Sequence, residues 1–248
     1  HNINYEFSIN SKSSSILSSD FYIKKYLIDA VDQLEESVLN EQDEDIIHIG
    51  FGLHDKDGHY SVWVGTVMQS ILEHTDSRIC FHILHDETLS IDNKYKLKKV
   101  ARSGFSIVEF HKIDENDFSV VKNQMSRFTI GAMFRCSLPE LLPDLNRIIY
   151  LDADLFVNRD IKELWDVDVR EYYLAGVADE GVAVHYHPRI LNKYHEIKKE
   201  SYFNLGVLYM NLKKLREFGN LKKLVVDFLI ENPEADLPDQ DALNVLFH

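Results

Sequence analysis

Six short apolar runs, separated by stretches of helical periodicity, limit the folds open to this chain more than any other feature. Ile46 to Phe51, Ile79 to Leu84, Ser106 to Phe110, Arg147 to Leu151, Leu174 to Ala178 and Phe203 to Met210 read as strands. Several are continuously apolar, as strands covered on both faces are. Tyr60 to His74, Ile91 to Ser103, the stretch around Phe128 to Leu142, and Leu221 to Ile230 carry apolar residues at helical spacing. Strand and helix in alternation predict an α/β layer fold. Ligands in such folds bind beyond the carboxyl ends of strands, so the loops that follow strands are where chemistry is expected.

The alternation starts only after an acidic segment. Residues 1–45 hold three lysines against ten acidic residues, half of a total charge of −14. Within them, apolar residues from Phe21 to Val38 behind Ser19-Asp20 predict a helix over 21–39. The expected organisation is an arm over 1–45 and a main domain over 46–248. A chain this acidic repels phosphate backbones and anionic lipid, which argues against a nucleic-acid partner. No apolar run approaches the roughly 20 residues that span a bilayer, and the start His1-Asn2-Ile3-Asn4 is no signal peptide. Cys80 and Cys136, the two cysteines, each sit in a mainly apolar stretch, which predicts reduced, buried thiols and a cytoplasmic protein.

The chemistry-bearing pattern follows the fourth strand. Arg147-Ile148-Ile149-Tyr150-Leu151 runs straight into Asp152-Ala153-Asp154. In extended backbone, residues i and i+2 point to the same side, so both carboxylates can face one point. A hard divalent cation removes their repulsion, and Mg²⁺ or Mn²⁺ so held usually completes its shell with substrate phosphates. A solvated turn is the competing reading. An aspartyl-phosphate enzyme would want Thr or Val where Phe156 stands, and no Gly-x-x-x-x-Gly-Lys-Ser/Thr loop is present.

Ile148 to Asp154, Leu164-Trp165, Tyr202-Phe203-Asn204-Leu205-Gly206-Val207, Asn211-Leu212 and Asp239-Gln240-Asp241-Ala242-Leu243-Asn244 together resemble glycosyltransferase family 8. That family holds bacterial lipopolysaccharide galactosyl- and glucosyltransferases and glycogenin. The resemblance runs from about Ile46 to Phe247. It implies a GT-A fold, here with an added N-terminal helix, and transfer of glucose or galactose from a UDP-sugar with retention at the anomeric carbon. The acceptor would be a glycan, free, lipid-linked or on a protein. Mn²⁺ (or Mg²⁺) would bridge Asp152 and Asp154 to the diphosphate.

By the same resemblance, Arg135 lies near the donor diphosphate, Asp239 and Asn204 hold hydroxyls of the donor sugar, and Asp179 stands close to that sugar. Gln240 would lie on the β-face of the anomeric carbon. Because an amide is a poor nucleophile, Gln240 suits a front-face reaction through an oxocarbenium-like ion pair better than double displacement. Each residue has a plainer reading: a surface arginine, a capped amide, a turn aspartate, a helix N-cap.

His54 and Asp55 occupy the place where the family grips the nucleoside, with His54 where an aspartate is usual. His59-Tyr60 could assume part of that work. The family pattern continues past the Asp-Gln-Asp helix to a His-x-x-Gly-x-x-Lys-Pro-Trp segment that supplies a third metal ligand, so the resemblance implies a chain truncated at its carboxyl end. Two rival functions remain: a nucleotide-sugar or glycan-binding module without turnover, and a metal-dependent sugar-phosphate hydrolase.

Overall fold

The computed structural model describes residues 46–125, 128–182, 193–195, 197–198 and 201–248. The helix expected over 21–39 lies outside these. Six strands, β1 (Ile47–Leu53), β2 (Ile79–His85), β3 (Ile107–Lys112), β4 (Ile148–Leu151), β5 (Leu174–Ala178) and β6 (Phe203–Met210), form one sheet in the order β3-β2-β1-β4-β6-β5. β1 pairs in parallel with β2 and β4, and β2 with β3, whereas β6 runs antiparallel to both β4 and β5. All six expected strands exist, with boundaries that move by at most two residues.

Two helices, α1 (Tyr60–Leu72) and α2 (Ile91–Ser103), cover one face of the parallel half. Val64, Val67, Met68, Leu97 and Ala101 pack there on Ile47, Ile49, Phe51, Phe81 and Ile83. Each such fully buried aliphatic contributes roughly 1.5–3 kcal/mol. Local chemistry fixes the start of α2, because the Ser90 hydroxyl accepts from Asn93 N–H as an N-cap. The opposite face, toward the carboxyl ends of the strands, is closed by a second apolar cluster that includes Phe118, Phe134, Tyr150, Leu208 and Leu243. Cys80 and Cys136 are free and buried, as expected.

The stretch around Phe128 to Leu142 differs from expectation. It is a 3-10 segment, Ile130–Ser137, followed by a one-turn helix α3 (Leu138–Leu141). Pro139 has no N–H to continue a helical ladder through it. The segment also crosses the end of β1 closely. A Cβ on Gly52 would stand 2.3 Å from the Gly131 carbonyl oxygen, and one on Gly131 would stand 3.0 Å from His54 N. Two glycines therefore let the two backbones touch. Short helices α4 (Lys162–Trp165) and α5 (Leu212–Phe218) have no counterpart among the expected elements. α6 (Leu221–Glu231) matches its expected stretch in place, and α7 spans Pro238–Leu246, so that Asp239-Gln240-Asp241 lies within the helix rather than before it. No helix among the described residues is long and apolar enough to cross a membrane.

Candidate active site

β4 delivers Asp152 one residue past its last rung. The ladder continues there, since Asp152 N–H donates to Gly206 O at 2.9 Å, so the first aspartate has a fixed position against β6. Its carboxylate meets Arg135, whose Nη2 donates to Asp152 Oδ1 at 2.9 Å. Arg135 is only 2% exposed. Its Nε donates to Ala132 O at 2.8 Å and its Nη1 to Leu205 O at 2.6 Å, and its plane lies 4.3 Å from the centre of the Tyr150 ring. Asp239 Oδ2 stands 3.6 Å from Nε. The plain reading of Arg135 as a surface residue on an amphipathic helix is therefore excluded.

Charge at this point does not balance. Burial raises the Asp152 carboxyl above its ordinary value; Arg135 opposes that, while Asp239 and Asp154 add to it. Arg135 is itself held as a cation, its charge favoured by Tyr150, Asp152 and Asp239 against the cost of burial. One guanidinium thus faces several carboxylates, and the surplus is negative. Among the described residues, no trio of metal-type donors within mutual reach includes Asp152 or Asp154. The donor set is two hard carboxylates, the kind that holds Mg²⁺ or Mn²⁺ with substrate phosphates completing the shell.

A second constellation faces the same cleft. Asp179 follows β5, and its backbone N–H donates to Tyr202 O at 2.8 Å. The β5–β6 register shifts between Gly176 and Ala178, an irregularity of the kind that re-aims side chains beside active sites. Asp179 Oδ2 accepts from Asn204 Nδ2 at 3.0 Å and from Gln240 Nε2 at 2.8 Å, while Oδ1 accepts from Val182 N–H at 2.9 Å. Burial pushes this carboxyl up, but these three donors and the Gly181 N–H outweigh it and hold it below the ordinary aspartate value, as an anion. Gln240 Oε1 accepts from Leu205 N–H at 3.3 Å. Asn204, expected between apolar neighbours, is exposed, and its Oδ1 accepts from Gly206 N–H at 2.7 Å.

Helix α7 brings Asp239 and Gln240 to the cleft. Gln240 and Asn244 share one face at i and i+4. Asn244, wholly buried, accepts from Phe203 N–H and donates to Phe203 O, both at 2.8 Å, and so clamps α7 to β6. Asp241 faces away and accepts from the Tyr202 hydroxyl at 2.6 Å. The helix begins at Pro238 behind Leu237, so Asp239 and Asp241 lie inside its first turns and neither is the N-cap residue, although Asp241 Oδ2 accepts from Leu237 N–H at 3.4 Å. Sequence reasoning missed the clamp, although Asn244 belongs to the quoted motif; its signal was an amide at i+4 from Gln240 in an otherwise apolar stretch.

The cleft itself encloses about 370 Å³ between Asp152, Asp154, Asp179, Asn204, Asp239 and Gln240. It adjoins a second hollow of about 420 Å³ lined by Gly52, Tyr60, Trp63, Thr129 and Tyr150. Arg135, Asp152 and Asp154 line both. His54 and Asp55 line neither. The His54 ring is paired with Asp86. Asp55, 3% exposed, accepts from Ser61 N–H at 3.0 Å and from Asn93 Nδ2 at 2.9 Å, a tie between the starts of α1 and α2. Tyr60, unlike the residues expected to grip a nucleoside, lines the hollow that adjoins the cleft.

The chain is similar to known proteins in sequence and in fold. General stress protein A of Bacillus subtilis (strain 168) is 30% identical to the chain over 212 residues, which are 83% of this chain and 70% of that protein. A lipopolysaccharide 1,2-glucosyltransferase of Escherichia coli is 25% identical, over 87% of this chain and 62% of that protein. A crystal structure of the galactosyltransferase LgtC in complex with donor and acceptor sugar analogs superposes with a TM-score of 0.70 at 26% identity, covering 82% of this chain and 70% of that one. The chain thus spans between 62% and 70% of these relatives. The fold is GT-A. The family model for Glycosyl transferase family 8 matches residues 54–248, most of the chain, and the protein accordingly belongs to glycosyltransferase family 8.

Proposed function

We propose that the protein is a retaining hexosyltransferase of the cytosol that moves glucose or galactose from a UDP-sugar to a glycan acceptor, free, lipid-linked or protein-linked, with Mn²⁺ or Mg²⁺ at Asp152 and Asp154. The observation that carries this reading is the surplus of carboxylates around Arg135, beside a cleft whose far wall is the Asp179-Asn204-Gln240 hydrogen-bond set. A divalent cation there would neutralise charge growing on the departing diphosphate.

The chain's own residues have separable tasks. Arg135 spends three of its N–H groups on protein acceptors and acts as a positioning residue that fixes the first carboxylate. Asp239 and Asn204 hold hexose hydroxyls. Asp179 orients the amides of Asn204 and Gln240. In the reaction the bond from the anomeric carbon to the UDP oxygen breaks, and the acceptor oxygen bonds to the same face as its proton passes to the departing phosphate. Gln240 supports the positive charge that develops on the ring between these events.

A thermal-shift series with UDP, GDP and ADP, each with and without Mn²⁺, tests the donor assignment, followed by turnover of UDP-glucose and UDP-galactose with and without acceptor glycans. Stabilisation by UDP that Mn²⁺ deepens is the expected result. At a hundredfold excess over Kd, mass action gives about 2.7 kcal/mol. An unmoved melting temperature with UDP and Mn²⁺ sinks the proposal. Binding without turnover would favour the binding-module reading, to which the internal engagement of His54 and Asp55 lends weight.

A further inference from the structure

Across the parallel strands, on the face opposite α1 and α2, runs a row of polar side chains that the transfer chemistry does not use. His48 comes from β1, His82 from β2, and Glu109 and His111 from β3. His82 and Glu109 are directly paired across the β2–β3 ladder. His111, two residues on, projects from the same face of β3 as Glu109.

Three atoms of this row converge. His82 Nδ1 lies 3.0 Å from His111 Nε2 and 3.3 Å from Glu109 Oε2, and His111 Nε2 lies 3.5 Å from the same oxygen. Hydrogen bonds cannot satisfy that triangle. A nitrogen that carries a proton is no acceptor, and a carboxylate oxygen is no donor. If both nitrogens are protonated, two donors face each other at 3.0 Å. With one protonated, its N–H can serve both neighbours, but the bare nitrogen and the carboxylate oxygen are left facing each other as two acceptors 3.3–3.5 Å apart. A cation that takes one lone pair from each atom removes the conflict. Zinc bound at about 2.0–2.2 Å by nitrogen and carboxylate oxygen spaces tetrahedral ligands about 3.3 Å apart, and the three observed separations bracket that value.

The far nitrogen of His82 completes the case. His82 is 2% exposed, and its Nε2 lies 2.9 Å from His48 Nδ1. A metal-bound imidazole usually donates its other N–H to a fixed acceptor, which sets the tautomer and raises its basicity. We propose that His82 Nδ1, His111 Nε2 and Glu109 Oε2 form a zinc site, with His48 as the acceptor that orients His82. Glu109 is part-exposed, with a side-chain accessibility of 42%, so the fourth ligand is water entering from solvent. The site ties β3, at the edge of the sheet, to β2. Cys80, also free and buried, groups with His48 and His82 rather than with Glu109 and His111.

The test uses protein carrying Asp152→Asn and Asp154→Asn, so that the cleft carboxylates do not contribute, stripped with chelator and titrated with Zn²⁺ by calorimetry, with bound metal counted after gel filtration. We expect one zinc per chain. Glu109→Gln and His111→Asn should each weaken it at least tenfold, and His48→Phe roughly ten- to a hundredfold. Circular dichroism of each variant shows that it is folded. X-ray absorption of the zinc-loaded protein gives a readout independent of the variants, and should show only nitrogen and oxygen neighbours at about 2.0–2.2 Å. A folded parent that takes up no zinc, uptake indifferent to all three substitutions, or a sulfur neighbour at about 2.3 Å overturns the site.

Discussion

Gln240 Nε2 donates to Asp179 Oδ2 at 2.8 Å across 61 residues of chain, and the other end of the same amide, Oε1, accepts from Leu205 N–H. The oxygen that a nucleophilic amide would need is therefore directed at the backbone of β6. Gln240→Ala should lower kcat by about 10- to 100-fold without abolishing it, whereas loss of an essential nucleophile costs several orders of magnitude. Steady-state kinetics, product stereochemistry by proton NMR and mass spectrometry of the enzyme check this. A hexose adduct on Gln240 refutes it.

Asp179→Asn removes the anion that holds both amides. Its effect should fall on kcat more than on KM for the donor, because disordered amides still leave the diphosphate end of the cleft intact. A loss of about tenfold or more in kcat is expected. A change in KM alone would show that Asp179 is a binding residue instead.

Asp152→Asn and Asp154→Asn should each reduce Mn²⁺-dependent transfer by about 10²-fold or more, since the amide keeps shape and loses the charge that holds a divalent cation. Folding should survive both. Transfer at the parental rate in either variant removes that residue from the metal site.

Arg135→Lys should not rescue function. Lysine cannot reach Ala132 O, Leu205 O and Asp152 together as the planar guanidinium does. Removing the guanidinium altogether, in Arg135→Ala, leaves Ala132 O, Leu205 O and the part-exposed Asp152 carboxylate without their donor and should cost about 1–3 kcal/mol. Urea denaturation of the three proteins measures it; a midpoint unchanged in Arg135→Ala would deny the pair its structural weight.

Acid should destabilise the metal-free protein through its buried histidines. His85 is 4% exposed, and burial first, with help from the Lys94 ammonium 2.8 Å away, lowers its pKa from 6.5. His48 is lowered to about 4, again chiefly by burial. The native state then binds fewer protons than the unfolded chain, so stability is full above about pH 6.5 and is lost as pH falls from there to the lowered values. Each such histidine contributes a slope of at most about 1.4 kcal/mol per pH unit. Denaturation in chelator at about pH 7.5 and about pH 5 should show the loss, and His85→Gln should reduce it. Equal midpoints at the two pH values contradict the assignment.

The strands were legible because their apolar runs are continuous, and the place of Asp152 and Asp154 on the cleft because they leave such a strand at its carboxyl end. What escaped notice depended on tertiary contact. The 3-10 path of Ile130–Ser137 follows from a backbone crossing at Gly52 and Gly131 that no periodicity encodes. The antiparallel course of β6 leaves no mark in Phe203 to Met210, which alternates no differently from a parallel strand. Asp55 looked like a loop carboxylate open to a ligand, yet both of its oxygens serve α1 and α2. The triangle on His82 went unread because its members are 27 and 29 residues apart, and only the β2–β3 register aligns them.

The antiparallel course of β6 also sets a timetable for biogenesis. Because that strand enters the sheet beside Asp152, the cleft is finished by its first residues and by α7, both of which follow the parallel half in chain order. The parallel half, β1 to β4 with α1 and α2, can condense earlier. Until Phe203 and Asn244 arrive to clamp the last helix, the nascent protein carries its negative charge at the end of β4 without the wall that completes the cleft. The far wall of the cleft is therefore acquired only after the parallel half has been made, and a chain stopped before residue 203 lacks Asn204, Asp239 and Gln240.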